Sequence, residues 1–256
     1  MPLLRGRRPL KRWRYAGIYG PDFMLCVGSA RVAMLPLNFW AVIEPDGRIR
    51  ERTTLSAGGI RVGAERISVS ARDVHVELEL SPIADSDPVE VVSPAGAQYI
   101  WTRKCLMHAR GVLDAGGVRR EIDQEAFIDD SAGYHERHTA WKWSAGVGVA
   151  RGGERVAWNL VSGVHDAPDG SERTVWVDGR PTEAAPVRFG AGLDWIESKD
   201  GSRLEFAEWG ARTDNTNLLL FRSRYRQPFG TFTGMLPGGV ELAVGYGVME
   251  DHDVFW

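Results

Sequence analysis

Cysteine is nearly absent from this chain. Cys26 and Cys105 are the only two among 256 residues, which excludes a disulfide scaffold. Each lies in an apolar, strand-like run, where a free thiol packs as a small hydrophobe. Both are expected to be reduced, and the chain is read as cytoplasmic. No apolar run approaches the roughly 20 residues of a membrane helix, and the basic start is not followed by the apolar segment of a secretory signal. Positive charge is not in excess either: 31 Lys and Arg stand against 34 Asp and Glu, which argues against a nucleic-acid partner. Neither a phosphate-cradling glycine loop nor the Gly-x-Ser-x-Gly elbow occurs, so nucleotide-dependent chemistry and serine-nucleophile hydrolysis are not expected. Sustained helical periodicity with caps is also lacking; the segment after Asp123 comes nearest to a helical turn.

Turn chemistry is abundant. Thirty glycines and thirteen prolines punctuate the whole length. Glu44-Pro45-Asp46-Gly47, Asp114-Ala115-Gly116-Gly117, Arg151-Gly152-Gly153-Glu154, Pro168-Asp169-Gly170, Val177-Asp178-Gly179-Arg180 and Leu236-Pro237-Gly238-Gly239 are hairpin or tight-turn signals. Between them lie short runs rich in β-branched and aromatic residues, at 13–19, 24–27, 39–43, 67–69, 74–80, 156–161 and 218–225. Over 74–80 every second residue is apolar, the period of a sheet with one wet face. A chain of this length buries roughly 70–75% of its unfolded surface, enough for a core without metal or disulfide support. The pattern predicts an all-β, antiparallel fold: two lipocalin-like barrels, or one barrel with a large sheet extension. The expected division is a basic arm over 1–12, an N-terminal half over 13–125 and a C-terminal half over 126–256. The arm, with six cations between Arg5 and Arg14, reads either as a solvated segment over the first strand or as a contact for anionic lipid.

Chemistry concentrates in one stretch, Asp129-Asp130-Ser131-Ala132-Gly133-Tyr134-His135-Glu136-Arg137-His138-Thr139-Ala140-Trp141-Lys142-Trp143-Ser144. It holds two of the six histidines and two of the ten tryptophans. His135 and His138 are three apart, which suits a shared metal on a helix but points to opposite faces on a strand. With no third ligand at a familiar spacing, no metal and no cofactor is expected. On a strand, Thr139, Trp141, Trp143 and Ala145 share one face. His138, Ala140, Lys142 and Ser144 share the other, a mix that suits a barrel interior keeping space for a guest. The tryptophans either pack in the core or line a pocket. The terminal strand repeats the theme: Tyr246, Val248, Glu250 and His252 alternate with Gly245, Gly247, Met249 and Asp251, and the glycines permit close approach of a backbone or ligand. Arg222, Arg224 and Arg226 share a face and either hold a carboxylate or phosphate or pair with nearby glutamates.

Gly133-Tyr134-His135, Thr139-Ala140-Trp141-Lys142-Trp143-Ser144, Ala157-Trp158-Asn159-Leu160, Ser223-Arg224-Tyr225-Arg226-Gln227-Pro228-Phe229-Gly230 and Gly245-Tyr246-Gly247-Val248-Met249-Glu250 together resemble an uncharacterised bacterial family, domain of unknown function 2804. The likeness runs from about Arg8 to Trp256 and implies no agreed activity. A looser similarity is to two-barrel, lipocalin-like carotenoid hydratases and cyclases. It rests on strand count, length and tryptophan-with-histidine strands, and carries over no catalytic residue. It implies an apolar small-molecule ligand.

Three functions fit. The first is a lipocalin-like protein that binds an apolar molecule in a β cavity and hydrates, isomerises or cyclises it by acid–base catalysis. Asp129, Asp130, Glu250 or Asp251 would be the proton donor, assisted by Tyr134, His138 or His252. Trp141, Trp143, Arg224 and Tyr246 would hold the ligand. The second is a carrier with the same cavity and no turnover. The third is a carbohydrate-active or carbohydrate-binding β protein, with aromatic platforms beside paired carboxylates.

Overall fold

The computed structural model describes residues 1–56, 58–218 and 221–256. Leu219 and Leu220, in the expected 218–225 run, lie outside them. Every regular element described is a strand, and among the described residues no helix is long and apolar enough to cross a membrane. A small hairpin, β1 (Leu4–Arg5) with β2 (Arg8–Pro9), opens the chain. A ten-stranded antiparallel sheet follows, built from β3 (Lys11–Tyr19), β4 (Met24–Val32), β5 (Leu35–Ile43), β6 (Ile49–Thr54), β7 (Ile60–Val62), β8 (Arg66–Ser70), β9 (Val74–Pro82), β10 (Val89–Ala95), β11 (Gln98–Ala115) and β12 (Val118–Gly133). A nine-stranded antiparallel sheet comprises β13 (His138–Ala150), β14 (Arg155–Ser162), β15 (Thr174–Val177), β16 (Arg180–Glu183), β17 (Val187–Phe189), β18 (Trp195–Ser198), β19 (Arg203–Leu218), β20 (Phe221–Leu236) and β21 (Val240–Phe255).

The two sheets follow one plan. The first runs β6-β5-β4-β3-β12-β11-β9-β8-β7, with β10 on β11; the second runs β16-β15-β14-β13-β21-β20-β19-β18-β17. In each, the first long strand pairs with the last, so the chain closes a meander on itself. Each sheet also curls until an edge strand packs over its far side, β7 against β4 and β17 against β14. Turn residues set the hairpins as expected. Asp178 (φ 47°) and Gly179 (φ 81°) join β15 to β16, and Gly116 and Gly117 (φ 59° and 79°) join β11 to β12; paired positive φ values are what a two-residue turn between twisted strands requires.

One expectation is corrected. The join between halves is not near 125: β12 runs unbroken from Val118 to Gly133, and the chain crosses between sheets at 134–137. The acidic stretch that looked like a boundary stays in the strand because Lys104 and Arg14 neutralise Asp129 and Asp130. The arm is exposed over residues 1–7 and is tied to the first half: Tyr134 Oη donates to Pro2 O at 2.8 Å, Arg8 Nη1 donates to Ala95 O at 2.6 Å, and Lys11 is buried in β3.

Three apolar clusters result. One fills the inside of the first sheet, with Leu25, Val42, Ile67, Val76, Leu113 and Ile128. Another fills the inside of the second, with Trp158, Leu160, Ile196, Phe206, Phe232 and Met249. The third joins the outer faces of the two halves, where Tyr15, Tyr19, Met24 and Phe127 meet Trp143, Ala145, Trp176, Phe229 and Val248.

Candidate functional site

Strand alternation decides which side chains of β13 and β21 reach this junction. Trp141, Trp143 and Ala145 face the first half, while Ser144 and Met249 face inward into their own sheet. Cross-strand pairing sets Trp143 opposite Glu250 and Trp141 opposite His252. Glu250 therefore enters an apolar seam. One of its oxygens accepts from Trp141 Nε1 at 2.8 Å and the other from Gln227 Nε2 at 3.0 Å, and the Tyr225 hydroxyl also donates to the carboxyl. Burial dominates over those donors and pushes the acid up to about 7. His252 lies 4.4 Å from the Trp141 ring and 5.0 Å from Tyr225, with Ser223 Oγ at 2.9 Å from Nε2. Burial lowers it to about 4, so it is neutral near pH 7. Trp141, Tyr225 and His252 are half-buried, whereas Glu250 beneath them is buried.

The first half contributes the opposite wall. Tyr15 meets Trp143 edge-on at 5.5 Å, and its hydroxyl is 3.0 Å from that of Tyr19. Burial holds both phenols protonated. Arg212 is buried over the Phe39 ring at 4.3 Å and reaches Glu51 at 3.1 Å and the Tyr225 hydroxyl at 3.4 Å. A second buried carboxyl, Asp129, sits 2.5 Å from Lys104, which also lies 3.4 Å from Glu172 of the second half. Burial raises Asp129 to about 6, against the pull of Lys104, and the charges of Asp129 and Glu250 act on each other. Glu172 is held ionised by Lys104 and by donors that include Asn159. Asn159 also accepts from Trp143 Nε1 at 2.7 Å, and Trp143 stands across the strand pair from Glu250.

Of the residues singled out from sequence, the junction gathers Asp129, Trp141, Trp143, Glu250 and His252. Tyr246 lies at its edge against Trp209, ring centroids 6.1 Å apart. The others are elsewhere. His138 is exposed, stacks on Phe255 at 4.1 Å and pairs with Asp253 at 3.0 Å. Tyr134 is buried against Tyr99 and anchors the arm. Asp130 pairs with Arg14 at 3.3 Å. Asp251 faces Lys142 at 3.9 Å, and Arg224 is exposed, 3.7 Å from Asp253. Arg224 and Arg226 thus pair with carboxylates of neighbouring strands, Arg226 with Glu208.

A guest-sized interior in the second sheet is corrected as well. Trp158 fills the space over the small residues: a Cβ on Gly146 would stand 2.2 Å from its ring, and one on Gly245 would stand 2.9 Å away. The described clefts are instead at the surface. One of about 620 Å³ is lined by Leu193, Thr213, Asn215, Arg224, Arg226 and Asp251. The other, of about 410 Å³, is lined by Arg12, Arg14, Arg31, Trp101 and Asp130. Among the described residues no three His, Cys, Asp or Glu side chains gather as a metal-ligating group.

Sequence reasoning missed Lys104, Glu172, Arg212 and Tyr15, and gave no role to Tyr225 or Gln227. Alternation alone places Ser223, Tyr225, Gln227 and Phe229 on one face. It cannot show that this face meets β4, where Cys26 Sγ lies 3.9 Å from Gln227 Oε1 across 201 residues of sequence.

A family model described as Domain of unknown function (DUF2804) matches residues 46–256, beginning later than the motif likeness. No curated protein matches the sequence. Among solved structures, the chain is similar to a protein assigned as AttH from Nitrosomonas europaea, with a TM-score of 0.60, 12% identity, and 95% of this chain and 92% of that one covered. It is also similar to kievitone hydratase from Nectria haematococca, with a TM-score of 0.61, 10% identity, and 94% and 88% covered. At such identities the likeness concerns the fold.

Proposed function

The chain belongs to the DUF2804 family, and from that premise we propose that it binds an apolar small molecule at the junction of its two halves and transforms it by general acid–base catalysis. One observation carries the reading: Glu250 is buried between aromatic side chains and raised to about 7, so it exchanges a proton near neutral pH. The fold shared with a hydratase supports the same kind of chemistry.

Addition of water to a carbon–carbon double bond is the form we favour. Protonated Glu250 gives its proton to one alkene carbon, and the Trp141 ring face stabilises the cation that develops on the other. A water oxygen bonds to that carbon, and the surplus proton of the water passes to the Glu250 carboxylate, restoring the acid. Isomerisation and cyclisation use the same proton without the water. Neutral His252 and the Tyr225 hydroxyl orient polar groups beside the acid.

The test is a screen of alkenyl phenols and terpenoids in ¹⁸O-labelled water and in D₂O, with Trp fluorescence quenching as the binding readout. Solvent label should enter product with the wild type and fall at least about 100-fold in Glu250→Gln, with quenching retained. Quenching without label uptake would favour a carrier. Equal label uptake by both proteins would remove Glu250 from the chemistry.

A further inference from the structure

Charge along this chain is segregated. Six of its 31 Lys and Arg fall in the first fourteen residues, which hold no Asp or Glu, although the whole chain is net negative. The same end of the first half carries an unusual set of exposed aliphatic side chains. Met34 and Leu35, at the β4–β5 tip, are 75% and 74% exposed; Leu4 is 61% and Leu55 76% exposed, with Met1, Leu3 and Leu37 also exposed. Exposed apolar residues are ordinary when scattered, but these are neighbours. Ala33 N donates to Leu10 O and Leu10 N to Leu3 O, each at 2.8 Å, which ties the tip to the arm. Asn38 Nδ2 donates to Ser56 O at 2.8 Å, which brings Leu55 beside Leu37.

Cations surround the patch. Arg5, Arg7, Arg12 and Arg31 are exposed, and Arg5 lies over the Tyr99 ring at 5.1 Å. Strand register sets Arg12 opposite Arg31, and Arg14 opposite both Ser29 and Asp130, so these side chains share the wall of the 410 Å³ cleft. Asp130, paired with Arg14, is the acid in that lining. Arg12 and Arg31 enter no ion pair among the described residues. The bonds of Tyr134 to Pro2 and of Arg8 to Ala95 hold the arm in place, so the charges are presented in fixed geometry.

We propose that this end of the molecule docks on the surface of an anionic lipid bilayer, with Leu4, Met34, Leu35 and Leu55 entering the headgroup–acyl boundary and the arginines meeting lipid phosphates. Aliphatic tips ringed by unpaired guanidinium groups complement a surface that is greasy below and anionic above. A nucleic acid would leave the aliphatic tips in water, and an acidic protein would have to match them with its own apolar patch. The cleft between Arg12, Arg14 and Arg31 takes one lipid phosphate bidentately. This inference stands independently of any chemistry at Glu250.

Co-sedimentation of the full chain with vesicles tests it, comparing phosphatidylcholine alone with equal parts phosphatidylcholine and phosphatidylglycerol. Binding should require the anionic lipid and weaken with added salt. Each arginine removed should weaken it about five-fold, so Arg5→Gln with Arg7→Gln loses about 25-fold. Met34→Ser with Leu35→Ser should weaken binding at unchanged salt dependence. The melting temperature of each variant establishes that it is folded. The proposal fails if the wild type ignores both vesicles, binds both equally, or binds inorganic phosphate saturably without sedimenting with lipid.

Discussion

Lys104 and Glu172 belong to different halves of the chain, and their charged ends lie 3.4 Å apart where neither side chain is open to solvent. With Asp129 on its other side, Lys104 is the cation between two buried carboxyls. Such a trio is costly to desolvate, and its clearest effect is to specify which surfaces meet. It fixes the loop before β15 against β11 and so sets the register of one half on the other.

Lys104→Met should therefore destabilise the protein by about 3–5 kcal/mol, because two carboxyls lose the charge that compensates them. The loss should be smaller at mildly acidic pH, where Asp129 and Glu172 can take up protons. Urea unfolding on both sides of neutrality measures this. A variant as stable as the wild type in alkaline solution would mean that water reaches the trio.

Glu250 makes stability depend on pH with a definite sign. Its value of about 7 in the folded protein lies above the ordinary 4.5, so the native state holds an extra proton between those limits. The associated stabilisation is complete below 4.5 and is lost as pH rises through 7. His252 works the other way: lowered from 6.5 to about 4, it costs stability when forced to charge, and its term improves as pH rises over that range. Glu250→Gln removes only the first slope. Relative to that variant the wild type should lose about 3 kcal/mol from pH 4.5 to just above 7. Parallel stability curves would place Glu250 in contact with solvent.

Trp158 is fully buried, lies 5.0 Å edge-on from Phe232 and donates to Ser144 Oγ at 3.0 Å. Trp158→Ala should cost about 3–5 kcal/mol and open the apolar space over Gly146 and Gly245. Indole added to the variant should restore part of its melting temperature. A small loss with no indole effect would indicate that the sheet collapses into the gap.

The strands and their hairpins were legible because turn residues and two-residue alternation are local signals. The Trp141–Trp143 face followed from the same alternation, as did the separation of Glu250 from Asp251. Non-local facts were not legible. His138 and Asp130 had the right chemistry in the right stretch, but their faces meet Phe255 and Arg14 rather than the seam. The small residues Gly245 and Gly247 looked like room for a guest, because the residue that fills the space over Gly245 is Trp158, from another strand. Lys104 and Glu172 are ordinary charged residues until the two halves are placed together.

The pairing of β13 with β21 bears on how the chain comes off the ribosome. Residues 138–150 are synthesised well before 240–255, and one edge of β13 must wait for that final partner. During the interval an uncapped, tryptophan-bearing strand is open to mispairing, and non-local closure of this kind is slow. Deletion of β21, Val240–Phe255, should therefore leave both β13 and β20 without the strand between them and drive the chain into aggregates.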